Sequence, residues 1–238
     1  MKTSRLIKHA TQVLGAGAAL CLTELNVAAY DLSADYSATS NPNGVWSYGA
    51  TTNLGGTFSP FTIHTAAAAQ NGVIVDVWGF GGFNPEIWHN GTASTATSDG
   101  TQGVFPPGTV ALFPGSPGIA AAFGVSRFTA PQAGSYLLQT AEHAYLNGVS
   151  SHDCDFHVLD NGIQIFGQLI PANSGTSYTT TVNLLAGDTI DFVVGRGTGN
   201  GNFTGVTIQA SLNPVPEPTT FALAGLGSAV LLMIRRRK

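Results

Sequence analysis

Phe156-His-Val-Leu-Asp-Asn-Gly-Ile-Gln-Ile-Phe166 contains two short apolar runs on either side of Asn161-Gly162. A two-residue type I′ turn needs positive φ at both central positions, and Asn-Gly is the pair that adopts it most readily. The stretch therefore predicts an antiparallel hairpin. The same reading extends outward. In Asp188 to Val194, Ile190, Phe192 and Val194 share one face while Asp191 points to the other, the alternation of a sheet with one wet face. Ala186-Gly187-Asp188 supplies the turn before it. Similar runs, rich in β-branched and aromatic residues, occur at 45–48, 57–63, 73–78, 86–89, 110–113, 121–128, 135–139, 155–159, 163–166, 178–184, 189–194 and 204–212. The chain has thirty glycines, of which only Gly15, Gly17, Gly225 and Gly227 lie in the terminal segments. No stretch between those segments has a helical period, and Ala66–Ala69 stops at Asn71-Gly72. The expected fold is all-β: an antiparallel two-sheet sandwich of jelly-roll-like form over residues 30–213.

The charges are distributed unevenly. Of nine Lys and Arg, Lys2, Arg5 and Lys8 lie at the start and Arg235, Arg236, Arg237 and Lys238 at the end. Only Arg127 and Arg196 lie between, against eleven acids, so residues 30–213 carry a formal charge of −9 while the whole chain carries −4. A phosphate backbone would repel such a surface, which argues against nucleic-acid binding.

The basic ends read as membrane signals. Met1 to His9 is a cationic leader, Ala10 to Leu22 a short apolar run, and Val27-Ala28-Ala29 a small-residue cleavage site. Residues 1–29 are thus expected to be a signal peptide with a signal helix, handled by the export machinery. Leu20 before Cys21 disfavours lipidation. Cleavage leaves Cys154 alone, so no internal disulfide is expected and stability must come from apolar burial. At the other end, Thr219 to Ile234 is uncharged over sixteen residues. As a helix it would be ~24 Å long against a hydrocarbon core of ~30 Å, a marginal span that snorkelling arginines can complete. Arg235, Arg236, Arg237 and Lys238 act as a stop-transfer anchor that holds the end on the cytoplasmic side and places the body outside.

Val215, Pro216, Glu217 and Pro218, the apolar helix at 219–234 and the basic tail at 235–238 together resemble the PEP-CTERM sorting signal, here over residues 214–238. The resemblance implies an exported protein of an exopolysaccharide-producing bacterium. It also implies an exosortase as partner, a membrane-embedded transpeptidase-like cysteine protease that removes the tail. Arg127 to Tyr136, His157 to Gly162 and Leu185 to Phe192 resemble a β-sandwich domain of PEP-CTERM and planctomycete-type surface proteins, similar in architecture to non-catalytic carbohydrate-binding modules.

Catalytic chemistry has little support. Gly115-Ser116-Pro117-Gly118 is no nucleophile elbow, because proline follows the serine where a helix should start. Glu142 and His143 are adjacent and would point to opposite faces of a strand. In His152-Asp-Cys-Asp-Phe-His157, neither strand face gathers three transition-metal ligands, and the segment is expected to be a strand entry with a small buried thiol. Asp153, Asp155 and Asp160 could instead offer hard oxygens to calcium, and no other cofactor is expected. Trp46, Tyr48, Trp78, Phe80, Trp88 and His89 crowd the first third among asparagines. An aromatic plane beside amides and carboxylates suits a sugar ring, whereas tryptophans in a sandwich more often fill the core. Glycines around Phe80 suggest an exposed loop, which makes Phe80, Phe83 and Trp88 the candidate platform.

The expected product is a non-catalytic surface or extracellular-matrix protein, anchored in the inner membrane as a precursor. It would serve adhesion or biofilm structure, with exopolysaccharide as its partner. A glycan-active enzyme and a self-associating structural protein are the alternatives.

Overall fold

The computed structural model describes residues 29–81, 85–98, 102–120, 122–144, 153–198 and 204–215. The expected signal and membrane helices, Pro216, Glu217, Pro218, Arg235, Arg236, Arg237 and Lys238 lie outside the described residues, as do Phe83 and His152. The described chain is all-β. Its strands are β1 Tyr30–Asp31, β2 Trp46–Thr51, β3 Ser59–Pro60, β4 Ile63–Ala68, β5 Ile74–Gly79 and β6 Glu86–Asn90. Next come β7 Ala96–Ser98, β8 Gly103–Phe105, β9 Thr109–Phe113, β10 Phe123–Thr129 and β11 Gly134–Ala144. The last five are β12 Cys154–Asp160, β13 Ile163–Ile170, β14 Gly175–Leu184, β15 Thr189–Gly195 and β16 Val206–Pro214.

They form two antiparallel sheets and a hairpin. The eight-stranded sheet runs β14-β11-β16-β9-β6-β5-β4, with β1 paired to β16; the six-stranded sheet runs β13-β12-β15-β10-β2-β3; β7 and β8 pair alone. Strand β11 explains the layering. Tyr136, Leu138, Thr140, Glu142 and Ala144 are buried, whereas Leu137, Gln139, Ala141 and His143 alternate with them and are more exposed. The buried row meets Trp46, Phe128, Phe156 and Phe192 from the six-stranded sheet and Ile87, Leu112, Ile208 and Leu212 from its own. This is a sandwich core, and each fully buried large apolar side chain contributes on the order of 2 kcal/mol. Cys154 is a free, buried thiol within it.

The central hairpin forms as its residues dictate. Asn161 (φ 49°) and Gly162 (φ 80°) join β12 to β13 in direct register, Asp160 opposite Ile163. The Asn161 Oδ1 accepts the Thr189 N–H at 3.0 Å, which ties the turn to β15.

The sequence expectations need three corrections. Residues 57–63 do not form one strand: only Ser59–Pro60 is extended, and the next strand is Ile63–Ala68, which takes in the alanine run. The β7–β8 hairpin and the short β1 add strands that the apolar runs do not mark. Asp191 does not face water. It leaves the main core, as expected, but is 2% exposed because a flap at residues 52–58 lays Leu54 and Phe58 over Val125, Leu159 and Val193. Its charge is matched by a bidentate pair with Arg127, Nε to Oδ1 at 2.6 Å and Nη2 to Oδ2 at 2.8 Å. The guanidinium in turn lies 4.3 Å from the Phe58 ring centre. Arg196 is also structural, donating to the carbonyls of Gly115, Ser116 and Ile119. Both cations of the body thus hold loops in place.

Candidate functional site

The outer face of the eight-stranded sheet has two chemical halves. On β14, β11 and β16 it is polar, with Thr179, Gln139, Gln209 and Ser211 facing out; Asp31 and Gly108 complete a groove of about 440 Å³. On β9, β6, β5 and β4 it is apolar and carries a second small core of Val75, Val77, Ala111 and Phe113, capped by Ala96 and Phe105 from the β7–β8 hairpin. Trp88 lies at the rim of this cluster.

Cross-strand register builds the site. Thr65 pairs with Val77, Val77 with Trp88, and Trp88 with Ala111, so these side chains form one row across four strands. Glu86, two residues before Trp88, shares its face, and its Oε2 accepts the indole N–H at 2.8 Å. The indole packs against Phe113 (centroids 5.1 Å) and Phe105 (5.4 Å). The next row, Ile63 and Gly79, ends the sheet. A Cβ at Gly79 would lie 3.3 Å from the Glu86 Cγ, and one at Gly81 would lie 2.7 Å from the Ile63 Cδ1. Both glycines therefore preserve a concavity of about 400 Å³ bounded by Ile63, Thr65, Val77, Glu86 and Trp88. That lies within the usual range for small-molecule sites, and it joins an indole plane, an apolar wall and a fixed carboxylate.

The other expected residues are placed as follows. Phe80 is 45% exposed but lies edge-on to Phe61 of the main core (4.9 Å, 78°) and does not line the Trp88 groove. It leaves the sheet where β5 ends, so it faces away from its neighbours Gly79 and Gly81. Trp46 and Trp78 are core residues. Their N–H groups are used internally, Trp46 to Asp35 Oδ2 at 3.3 Å and Trp78 to the Ser37 carbonyl at 2.7 Å.

The expected calcium trio does not converge. Asp153 precedes β12 and accepts the Thr198 N–H and hydroxyl, whereas Asp160 ends the same strand, ~23 Å away at ~3.3 Å per residue. Asp155 lies 2.9 Å from the His157 ring nitrogen Nε2 on the outer face. Among the described residues no three His, Cys, Asp or Glu side chains are grouped to hold a metal ion. The groove lined by Gln139 and Gln209 holds one carboxylate, Asp31, and the Trp88 groove holds one, Glu86. Glu142 faces the core and His143 faces out, so they do not act together.

Sequence reasoning misses a polar cluster on the inner side of β4–β6. Asp76 lies opposite His89 and 3.1 Å from the Nε2 of His64. His89 stacks on Tyr36 at 4.4 Å and shares a hydrogen bond with the Ser33 hydroxyl at 3.1 Å. Burial holds its pKa below the usual histidine value, with Asp76 opposing. Nothing local in the sequence marks this group, since Tyr36 arrives from a distant segment.

Comparison with known proteins identifies residues 214–238 as a PEP-CTERM protein-sorting motif. The motif implies exosortase processing of an exported, membrane-anchored precursor. No curated protein matches the chain. Among solved structures, the chain is similar to a CBM51 from Clostridium perfringens GH95 in complex with methyl-galactose, at 12% identity and TM-score 0.38 over 78% of this chain and 100% of that one. A family 35 carbohydrate-binding module from an environmental isolate matches at 16% identity and TM-score 0.29, over 72% and 98% of the two chains. A CBM4 matches at 14% identity and TM-score 0.31, over 55% and 88%. The assignment of a β-sandwich rests on the strand order and core described above, not on these similarities.

Proposed function

We propose that the chain is a surface or extracellular-matrix protein whose jelly-roll-like sandwich, once the sorting signal has directed its processing, binds a neutral glycan in the Trp88 groove. The observation that carries this reading is the Glu86–Trp88 pair at the mouth of a preserved concavity. Hexose rings have apolar C–H faces and peripheral hydroxyls. An indole held by Phe113 and Phe105 supplies the stacking plane, and the Glu86 carboxylate, already oriented by the indole N–H, supplies an acceptor. A body of charge −9, with a carboxylate in the groove itself, favours neutral over anionic polysaccharide. Adhesion to the producing cell's own matrix follows from such binding and from the address implied by residues 214–238.

The test is a glycan array with the purified protein, with and without chelator. Binding to neutral glycans that survives chelation supports the reading. An empty array under both conditions removes it.

A further inference from the structure

We propose that the free edge of β14 pairs with the β14 edge of a second copy of the chain, joining two eight-stranded sheets edge to edge. Strand β14, Gly175–Leu184, is ten residues long and has a described neighbour on one side only, β11. A sheet edge presents a row of unsatisfied N–H and C=O groups, and proteins usually blunt it with charge, proline, a bulge or brevity. β14 has none of these. Its register with β11 is continuous from Gly134–Leu184 to His143–Gly175, and its sequence GTSYTTTVNL has no charge and no proline.

Of the other edges in these two sheets, β13 and β3 are blunted and β4 is the shorter strand, six residues against ten. β13 carries a register shift where Val158 pairs with Phe166 and Leu159 with Gln164, leaving Ile165 as the extra residue. β3 has two residues. β4 has six, with His64 held to Asp76.

Charge distribution selects the occupant. No Asp, Glu, Lys, Arg or His occurs from Asn161 to Gly187, whereas the rest of the body carries all eleven acids. Two copies of this anionic domain repel each other least when they approach along that uncharged side. A two-fold axis normal to the sheet makes the pairing antiparallel and self-complementary. It keeps like faces together, so a register centred on Thr179 sets Thr179 against its own copy and Ser177 against Thr181. Such threonine and serine cross-strand pairs are favourable. The edge is also stiff: Tyr178 stacks on Phe166 at 4.5 Å and 16°, and the Thr176 hydroxyl donates to Gln168 Oε1 at 2.8 Å.

This inference concerns a different part of the sheet from the Trp88 groove, so either can fail without the other. The test is sedimentation of the full chain in detergent, comparing wild type with Thr179→Lys and with Ala68→Lys on the β4 edge. Wild type and the Ala68→Lys variant are expected to be dimers, and Thr179→Lys to raise the dissociation constant at least tenfold. A Thr179→Cys variant, which leaves the edge uncharged, should cross-link to its own copy on oxidation. Monomeric wild type, a Thr179→Lys variant as dimeric as wild type, or a Thr179→Cys variant that fails to cross-link would each overturn the pairing.

Discussion

Glu142 is placed on the inward face of β11 and is 3% exposed; one carboxylate oxygen receives the Thr140 hydroxyl and the other has no hydrogen-bond partner. Burial raises its pKa from 4.5 to about 7. The folded chain therefore holds this proton more tightly than the unfolded chain does. Its contribution to stability falls as pH rises from about 4.5 through 7, by about 3 kcal/mol at ~1.36 kcal/mol per unit. Glu142→Gln should flatten the stability profile between about pH 4.5 and 7 in thermal unfolding; an unchanged slope would place the titration elsewhere. The Arg127–Asp191 pair also bears on stability. Losing Arg127 alone leaves Asp191 buried and uncompensated, so Arg127→Met should cost about 3 kcal/mol in denaturant unfolding. Replacing both partners with apolar residues should recover most of that loss, and a double variant as unstable as the single one would contradict the account.

Among the elements, the 52–58 flap converts a wet sheet face into a dry one. It closes because Gly49 lacks a side chain: a Cβ there would collide with the Ser59 carbonyl oxygen and lie 2.6 Å from the Phe58 ring. Gly49→Ala should lift Phe58 from Arg127 and expose Val125 and Val193. Faster proteolysis within 52–58, with the main core still folded, is the expected readout. This contrast explains what can be read in advance. The 161–162 turn is legible because its chemistry is local, as both central residues must adopt positive φ. The face shared by Glu86 and Trp88 is equally available from period-two alternation, although the aromatic crowding points to Trp88, with Phe80 and Phe83, and not to Glu86. The flap over Asp191, the β7–β8 cap on the second core and the end of β5 just before Phe80 are not legible. Each depends on which distant segment covers a face, and alternation along one strand cannot report that. The three aspartates fail as a site for a related reason: nearness in sequence becomes separation when the chain is extended.

For the whole molecule, the sorting signal and the sandwich occupy different parts of the chain. The last strand ends at Pro214, and the Val215 N–H still bonds to the Ser135 carbonyl at 2.8 Å, so the matched segment 214–238 begins in sequence where the sandwich ends. Replacing residues 215–218 with alanine should leave an uncleaved precursor in the membrane fraction; unchanged release into the medium would argue against exosortase handling. Glycan binding by the delivered sandwich is proposed to run through Trp88. It is tested most directly by titrating the best neutral glycan from the array into wild type, Trp88→Ala and Phe80→Ala. Loss of roughly tenfold or more in affinity at Trp88, with Phe80→Ala unchanged, is the predicted result. Undiminished binding by Trp88→Ala would contradict it.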